Sequence, residues 1–208
     1  MSYAVKEIFV TLQGEGMQSG RRAVFLRFAG CNLWSGREED RADALCRFCD
    51  TDFVGLDGAL GGRYEADDLA DQVETLWGDV PNRLVVVTGG EPLLQLDSNL
   101  IDALHDRGFS IAVETNGTIA APEGIDWLCV SPKGLSQVVQ RAGNELKLVW
   151  PQTDVDPRIF SGWAFDHFLI QPKDCADQEQ ALAAAIDFVM LNPGWRLSLQ
   201  SHKVIGLP

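Results

Sequence analysis

Three cysteines with metal-binding spacing lie in the first quarter of the chain, at Cys31, Cys46 and Cys49. Thiolates bind soft metals, and the two-residue gap between Cys46 and Cys49 lets both sulfurs face one metal centre from a tight loop. Cys31 follows the predicted strand Ala23–Phe28 after two small residues, Ala29 and Gly30. We therefore expect all three thiols on one loop at the carboxyl end of an early strand.

Three interpretations of this cysteine set compete. A structural zinc site needs four ligands, and the other cysteines, Cys129 and Cys175, are far along the chain, as are all three histidines. Three unliganded thiols on one loop is the second interpretation. The third is a [4Fe–4S] cluster held by three thiolates, which leaves one iron open to bind a small molecule.

A glycine-rich run, Thr88–Pro92, follows a valine-rich predicted strand. Glycine has no Cβ, so the backbone of such a run can approach a ligand closely. The run alone is a weak signal, because glycines followed by proline occur in many turns. It gains weight from its place at the end of a strand in a chain with the cysteine set.

The secondary-structure pattern favours an α/β fold with a mostly parallel sheet. A complete eight-unit barrel needs about 250 residues, so 208 residues fit a partial, open TIM-like barrel better. A flavodoxin-like open sheet is the alternative. The predicted strands are Val5–Val10, Ala23–Phe28, Arg83–Thr88, Ser110–Glu114, Trp127–Val130, Glu145–Val149, His167–Ile170 and Arg196–Leu199, and the predicted helices are Glu65–Trp77, Ser98–Arg107 and Gln178–Leu191.

Five of the predicted strands end in polar residues that turn formation alone does not explain. In parallel α/β folds the carboxyl ends of the strands are where ligands bind. We therefore expect one shared site at this edge of the sheet. The polar segments are Thr88–Pro92, Glu114–Gly117, Ser131–Lys133, Gln171–Asp174 and Gln200–Lys203.

Composition narrows the class of protein. Hydrophobic residues make up 46% and charged residues 23% of the chain, which is ordinary for a globular enzyme. The formal net charge of −13 disfavours non-specific nucleic-acid binding and attachment to an anionic membrane. No run of eighteen apolar residues and no signal peptide is visible, so the expected location is the cytoplasm, where five cysteines do not form a disulfide framework.

These motifs together resemble the radical SAM superfamily, whose members cleave S-adenosylmethionine (SAM) on an open iron of a [4Fe–4S] cluster. Phe48 precedes the last cysteine as in the C-x-aromatic-C ending of that superfamily, and Thr88–Pro92 resembles its glycine-rich SAM motif. The long gap before Cys46 departs from the superfamily norm and is similar to a branch of the 7-carboxy-7-deazaguanine synthases. Further similar segments are Thr11–Gly16, Arg27–Leu33, Cys49–Thr51, Glu114–Gly117 and Ser201–Pro208.

The resemblance implies a specific reaction. The family converts 6-carboxy-5,6,7,8-tetrahydropterin to 7-carboxy-7-deazaguanine with loss of ammonia, a lyase step of queuosine and 7-deazapurine biosynthesis. SAM is regenerated, and a magnesium ion is needed. The family fold is a partial barrel, commonly a homodimer, and an external electron donor such as a flavodoxin reduces the cluster. The chain is thus expected to be a single radical SAM domain, 1–208, with a modified cluster-binding loop at about 30–52.

The resemblance also implies residue roles. It assigns the [4Fe–4S] cluster to Cys31, Cys46 and Cys49 and the magnesium ion to the Thr51 hydroxyl. From the residues alone, Thr51 would be interpreted as a turn residue. Substrate binding falls to Leu12, Gln13, Gly14, Arg27, Thr88 and the terminal carboxylate of Pro208. SAM binding falls to Phe48, Gly90, Ser131, Pro132, Lys133, Gln171, Pro172, Lys173 and Asp174. Glu15, His202 and Glu114 are either ligand contacts or local hydrogen-bond anchors.

Two rival functions stay open at this point. Glycyl-radical activating enzymes are also short and also carry cluster and SAM motifs, but they must admit a peptide of a partner protein. A non-catalytic zinc- or cluster-bearing module is the other rival. A site closed by the chain's own C-terminus argues against the activating enzyme.

Overall fold

A nine-stranded sheet is the framework of the chain, as seen in a computed structural model that describes residues 2–152 and 154–208. The strands lie side by side in the order β3-β1-β2-β4-β5-β6-β7-β8-β9. Their bounds are β1 Tyr3–Leu12, β2 Arg22–Phe28, β3 Gly62–Tyr64, β4 Leu84–Gly89, β5 Ser110–Thr115, β6 Trp127–Val130, β7 Ala142–Trp150, β8 Ala164–Pro172 and β9 Trp195–Leu197.

The strand order identifies the type of α/β fold. Neighbouring strands from β2 through β9 are parallel, whereas β1 runs antiparallel to both β2 and β3. Doubly wound sheets reverse their strand order at a switch point, but here the order follows the chain from β4 to β9 without reversal. The sheet keeps two edges, β3 and β9. The predicted partial, open TIM-like barrel is therefore confirmed, and the flavodoxin-like alternative is not.

Three longer helices cover the outside of the sheet: α1 Ala66–Trp77, α2 Ser98–Asp106 and α3 Gln178–Leu191. Helix α2 begins at Asp97, whose carboxylate accepts a hydrogen bond from the Leu100 amide (3.2 Å). Helix α1 buries Leu69, Val73 and Trp77 at helical spacing, as its sequence predicts. The helices α1 and α2 pack on each other, and α3 packs on β7, β8 and β9.

Alternation along β2 shows how the strands separate the core from the site. Val24, Leu26 and Phe28 face the helices and belong to the main hydrophobic core. Ala23 and Phe25 point to the other side, into a small apolar cluster at the bottom of the half-barrel. Arg27 also points inward but lies near the carboxyl end of the strand, where it lines a cavity. The period of two along a strand therefore places apolar and functional side chains on opposite faces.

Two short elements are absent from the sequence-based assignment. Strand β3 follows a loop that contains Gly55, Gly58 and Gly61, and it pairs with the start of β1. Helix α4, Ser201–Ile205, directly follows Gln200. Each has only three to five residues, too few to show a hydrophobic period. In the described ranges no helix combines the length and apolarity needed to cross a membrane.

Candidate active site

A cavity of about 380 Å³ opens at the carboxyl ends of the parallel strands, inside the half-barrel. This volume lies in the range of small-molecule sites. Most of the residues predicted to bind ligands line it together, although they come from seven separate chain segments. They are Leu12, Gln13, Arg27, Cys46, Phe48, Cys49, Thr51, Thr88, Gly90, Ser131, Lys133, Gln171, Pro172, Lys173, Asp174 and Pro208.

Three predicted site residues lie just outside the lining. Cys31 is half-buried beside Gly90, and its sulfur accepts a hydrogen bond from the Leu33 amide (3.4 Å). The backbone of Gly14 packs against the ring of His202. Pro132 is buried between the lining residues Ser131 and Lys133. All three adjoin residues that do line the cavity, so they belong to its walls.

The three cluster-loop cysteines are free thiols. A hydrogen bond from the Cys46 thiol lowers the pKa of Cys49 to about 6, while the same bond and burial raise the pKa of Cys46. In the described residues no three His, Cys, Asp or Glu side chains surround a common point for one ion. A cubane cluster does not need such convergence, because each thiolate binds a different iron. The donor set therefore fits a [4Fe–4S] cluster better than a tetrahedral zinc ion.

The glycine run packs directly against the cluster loop. A Cβ on Gly90 would lie 2.3 Å from the Gly30 oxygen and 2.6 Å from the Cβ of Cys31, so only glycine fits there. The next residue, Glu91, is fully buried, and its amide donates to the Gly30 oxygen (2.9 Å). Its carboxylate accepts from Thr115 (2.7 Å) and from the Asn116 amide (2.8 Å). These bonds hold the ends of β4 and β5 against the loop that carries the thiols.

The segments predicted to bind SAM are held by local hydrogen bonds. The Lys133 ammonium donates to the Ser131 hydroxyl (2.5 Å) after β6. At the end of β8, the Ser198 hydroxyl donates to the side-chain oxygen of Gln171 (3.0 Å), and the Lys173 amide donates to the Trp150 oxygen (2.7 Å). Both segments contribute to the lining of the cavity.

Arg27 and Gln13 are already oriented by acidic partners. The Arg27 Nε donates to Glu7 (2.8 Å), which leaves the two terminal nitrogens of the guanidinium for another acceptor. The Gln13 amide nitrogen donates to Glu114 (2.7 Å). Thr88, at the end of β4, is the neighbour of Arg27 in the parallel ladder.

Sequence reasoning missed Lys147, the most buried cation of the site. Its side chain is 3% exposed and forms ion pairs with Glu15 and Glu114 (3.1 Å). Burial disfavours the charged forms, but the opposite charges outweigh it: the pKa of Glu15 is lowered to about 2 and that of Lys147 is raised. A usable signal was present, since Glu145, Lys147 and Val149 alternate with buried leucines along β7.

The C-terminal tail, residues 200–208, covers one side of the cavity. The Ser201 amide and hydroxyl both donate to the Gly14 oxygen (2.9 and 3.0 Å). The Thr11 hydroxyl donates to a carboxylate oxygen of Pro208 (3.0 Å). Pro208 is therefore tied to β1, and residues of this tail form part of the cavity wall.

Thr51 lies between two aspartates that are each paired with a lysine. Asp50 pairs with Lys203 (2.7 Å) and Asp52 with Lys6 (2.8 Å). The Thr51 hydroxyl lines the cavity and makes only a long contact with Asp50 (3.5 Å). Among the described residues, Thr51 therefore adds to the cavity wall a hydroxyl whose hydrogen bond is long.

Comparison with known proteins identifies the relatives of this chain. No family model matches it. The chain is 63% identical over 209 residues to a 7-carboxy-7-deazaguanine synthase of Bradyrhizobium diazoefficiens and 58% identical over 210 residues to that of Bordetella pertussis, covering 100% of both chains in each case.

A solved structure also matches this chain over nearly its full length. The crystal structure of QueE from Escherichia coli matches with a TM-score of 0.75 and 27% identity, covering 97% of this chain and 95% of that one. The identities of 63% and 58% over the full length of the two relatives show common family membership and not only a shared fold. The chain belongs to the 7-carboxy-7-deazaguanine synthase family.

Proposed function

We propose that the chain is a radical SAM lyase that converts 6-carboxy-5,6,7,8-tetrahydropterin to 7-carboxy-7-deazaguanine with loss of ammonia, for queuosine and 7-deazapurine synthesis. The observation that carries this proposal is the single cavity of about 380 Å³ that joins the thiol loop to the oriented Arg27 and the C-terminal carboxylate. A cluster and an anion-binding pocket for a small acid would thereby share one cavity. We infer that residues 1–208 act as one radical SAM domain.

Cys31, Cys46 and Cys49 would hold a [4Fe–4S] cluster on the loop at about 30–52. When bound, the cluster supplies the electron that cleaves SAM for hydrogen abstraction from the substrate. The low pKa of Cys49 favours the thiolate that iron requires. The Gly90 backbone would receive the methionine amine; the absence of a Cβ lets this backbone lie directly against Gly30 and Cys31 of the cluster loop.

The remaining SAM contacts would come from the aromatic residue of the cluster loop and from two strand ends. Phe48 offers an apolar face in the cavity. The segments Ser131–Lys133 and Gln171–Asp174 offer hydroxyl, amide and carboxylate groups, which suit the adenosine part. Their internal hydrogen bonds hold these groups in place before a ligand arrives.

The pterin would be recognised at both ends. Arg27 would bind the substrate carboxylate with its two terminal nitrogens, since Glu7 occupies only Nε. The Pro208 carboxylate would accept hydrogen bonds from the aminopyrimidine edge, with Leu12–Gly14 and Thr88 beside it. Lys147 holds Glu15 and, through Glu114, the Gln13 amide, so these anchors fix the segment that clasps the substrate.

Thr51 would bind Mg²⁺ through its hydroxyl, with substrate oxygens and waters completing the coordination. Magnesium prefers oxygen ligands and keeps several waters, so one protein ligand is sufficient. The pairing of Asp50 with Lys203 and of Asp52 with Lys6 leaves the hydroxyl as the available oxygen. Each of these lysines also pairs with a second aspartate, Lys203 with Asp174 and Lys6 with Asp57, so the region around Thr51 keeps a negative charge that would favour a cation.

Two partners are inferred, a second copy of this chain and a protein that donates electrons to the cluster. We infer a homodimer that covers the outer face of α3, where Leu182, Ile186, Met190 and Leu191 are exposed. The electron donor would be an external protein such as a flavodoxin. The peptide-activating alternative is disfavoured, because residues 200–208 cover one side of the cavity, where a protein segment would have to enter.

The test is direct conversion. The cluster-loaded protein is given SAM, reductant, Mg²⁺ and 6-carboxytetrahydropterin without oxygen, and the substrate is followed by mass spectrometry. A product lighter by one ammonia, with SAM recovered, is the expected result. SAM cleavage with the pterin untouched would overturn the assigned substrate.

A further inference from the structure

One lysine side chain joins the three segments that are proposed to bind metal, SAM and pterin. The Lys203 ammonium lies 2.7 Å from Asp50 and 2.5 Å from Asp174. Asp50 lies between Cys49 and Thr51 on the cluster loop, and Asp174 ends the segment that follows β8. Lys203 itself belongs to the tail that ends at Pro208. The three segments therefore meet at one cation.

Besides Lys203, the tail is held by polar contacts such as the hydrogen bond from the Gln200 amide to Glu15 (2.9 Å). Helix α4 has five residues and none of them is buried, and a helix this short is not stable by itself. Val204 and Ile205 are exposed, so apolar packing contributes little. On the β1 side, Ser201 and Pro208 bond to Gly14 and Thr11. Toward the cluster loop and β8, the tail has Lys203 and a long contact from Gln200 to Asp50 (3.5 Å).

Asp174 is held in a defined orientation for this contact. The Gln178 amide, at the start of α3, donates to one carboxylate oxygen of Asp174 (2.6 Å), and Lys203 binds the other oxygen. A ligand that orders the segment carrying Asp174 will also order the partner of Lys203. The opposite end of the same tail presents the Pro208 carboxylate to the cavity.

We propose that Lys203 is a positioning residue that couples the SAM segment to the C-terminal tail, so that SAM tightens the binding of the pterin substrate. The inference rests on the proposed function. SAM bound against Gln171–Asp174 favours the arrangement in which Asp174 and Asp50 hold Lys203. That arrangement also favours the bound position of the tail and its carboxylate. The coupling is reciprocal, so the pterin must tighten SAM binding by the same factor.

The test measures binding without turnover. Cluster-loaded protein is titrated with 6-carboxytetrahydropterin in the presence and absence of SAM, with Mg²⁺ and no reductant. We expect SAM to lower the Kd of the pterin about tenfold, within the usual range for coupled sites. In Lys203→Gln this factor should fall to about two or less, and Lys203→Arg should restore most of it. Hydrogen exchange of residues 200–208 should be slowed by SAM in the unmodified chain and not in Lys203→Gln.

The matched control is Arg158→Gln, which removes a surface ion pair with Asp156 away from the cavity. It should leave the effect of SAM on the pterin Kd unchanged. A Lys203→Gln protein that keeps the full tenfold effect, or that weakens the pterin equally with and without SAM, overturns the coupling alone. An unmodified chain that binds SAM but no pterin overturns the proposed substrate and the coupling together.

Discussion

Gly90 lies against Cys31 so closely that a Cβ at Gly90 would be 2.6 Å from the Cβ of Cys31. The two residues are on different segments, one after β4 and the other after β2, and these strands are neighbours in the parallel sheet. The glycine run and the cysteine loop are thus parts of one arrangement, in which the backbone proposed to bind SAM is positioned by the loop proposed to bind the cluster.

The first prediction concerns Gly90→Ala. The added methyl group meets the Gly30 backbone oxygen at 2.3 Å, and backbone cannot yield as a flexible side chain can. Overpacking of this kind costs about 1–3 kcal/mol, here at the contact between β4 and the cluster loop. We expect SAM affinity, measured by equilibrium binding to the cluster-loaded protein, to fall at least about tenfold.

Gly194→Ala is the control for that variant. Nothing lies within 4 Å of a Cβ at Gly194, so this substitution should leave SAM affinity and thermal stability within experimental error. Equal losses in both variants would mean that the effect is not specific to the packing of Gly90 on Cys31.

The second prediction concerns Cys31→Ala. Removing one of three thiolates leaves the cluster with two protein ligands, so we expect reconstituted iron and reductive SAM cleavage to fall below about one tenth of their usual values. Cys175→Ala, which removes a free thiol outside the cluster loop, should retain both. Full SAM cleavage by Cys31→Ala would contradict the cluster assignment.

The third prediction concerns Thr51→Ala. Loss of one oxygen ligand should raise the Mg²⁺ concentration for half-maximal pterin conversion about tenfold, while iron content and SAM cleavage without substrate stay unchanged. Thr51→Ser keeps the hydroxyl and should keep the magnesium dependence. An unaltered magnesium dependence in Thr51→Ala would remove Thr51 from the metal site.

The sequence predicts the fold and most of the cavity lining because both depend on short-range patterns. Eight strands and three helices show a period of two or 3.6, or are continuous apolar runs between turn residues. The chain order of βα units then places the strand ends at one edge. For this reason Ser131 and Gln171, forty residues apart, could be assigned to one site before their positions were known.

Contacts between distant segments could not be predicted in the same way. Lys203 meets Asp50 across 153 positions of the chain, and the tail that carries it has no hydrophobic period to place it. Lys147 lies inside a predicted strand, but the strand pattern predicts only which face of the sheet its side chain is on, and not which residue it contacts. Its pairing with Glu15 depends on where the loop after β1 folds back over the barrel.

The fourth prediction concerns acid stability and Glu15→Gln. Burial opposes the charge of Glu15, but Lys147 and the Gln200 amide lower its pKa to about 2, below the ordinary value of 4.5. A carboxylate with a lowered folded-state pKa stabilises the fold above its unfolded-state pKa, and this contribution is lost as the pH falls from 4.5 toward 2. Glu15→Gln removes the contribution at every pH.

We therefore expect the cluster-free Glu15→Gln protein to have a lower Tm than the unmodified chain at pH 7 and a smaller difference at pH 3. Thermal unfolding followed by circular dichroism measures the Tm difference between the two proteins at each pH. Asp156→Asn is the control, because its partner Arg158 is on the surface and a pair of exposed charges contributes little. A constant Tm difference between pH 7 and pH 3 would show that the Glu15 carboxylate is not the titrating group.

The fifth prediction concerns the C-terminal carboxylate. Deleting Pro208 moves the terminal charge back by one residue, about 3.5 Å, and removes the group that Thr11 holds at 3.0 Å. A charge-assisted hydrogen bond contributes about 1.5–3 kcal/mol, so we expect kcat/KM for the pterin to fall by about 10- to 150-fold. SAM cleavage without substrate should be nearly unchanged, because the cluster loop is intact.

A chain extended by one glycine after Pro208 keeps every side chain and moves only the charge, and it should show a loss of similar size. If the extended chain is fully active, the carboxylate does not bind the pterin, and the effect of the deletion comes from the packing of the proline ring.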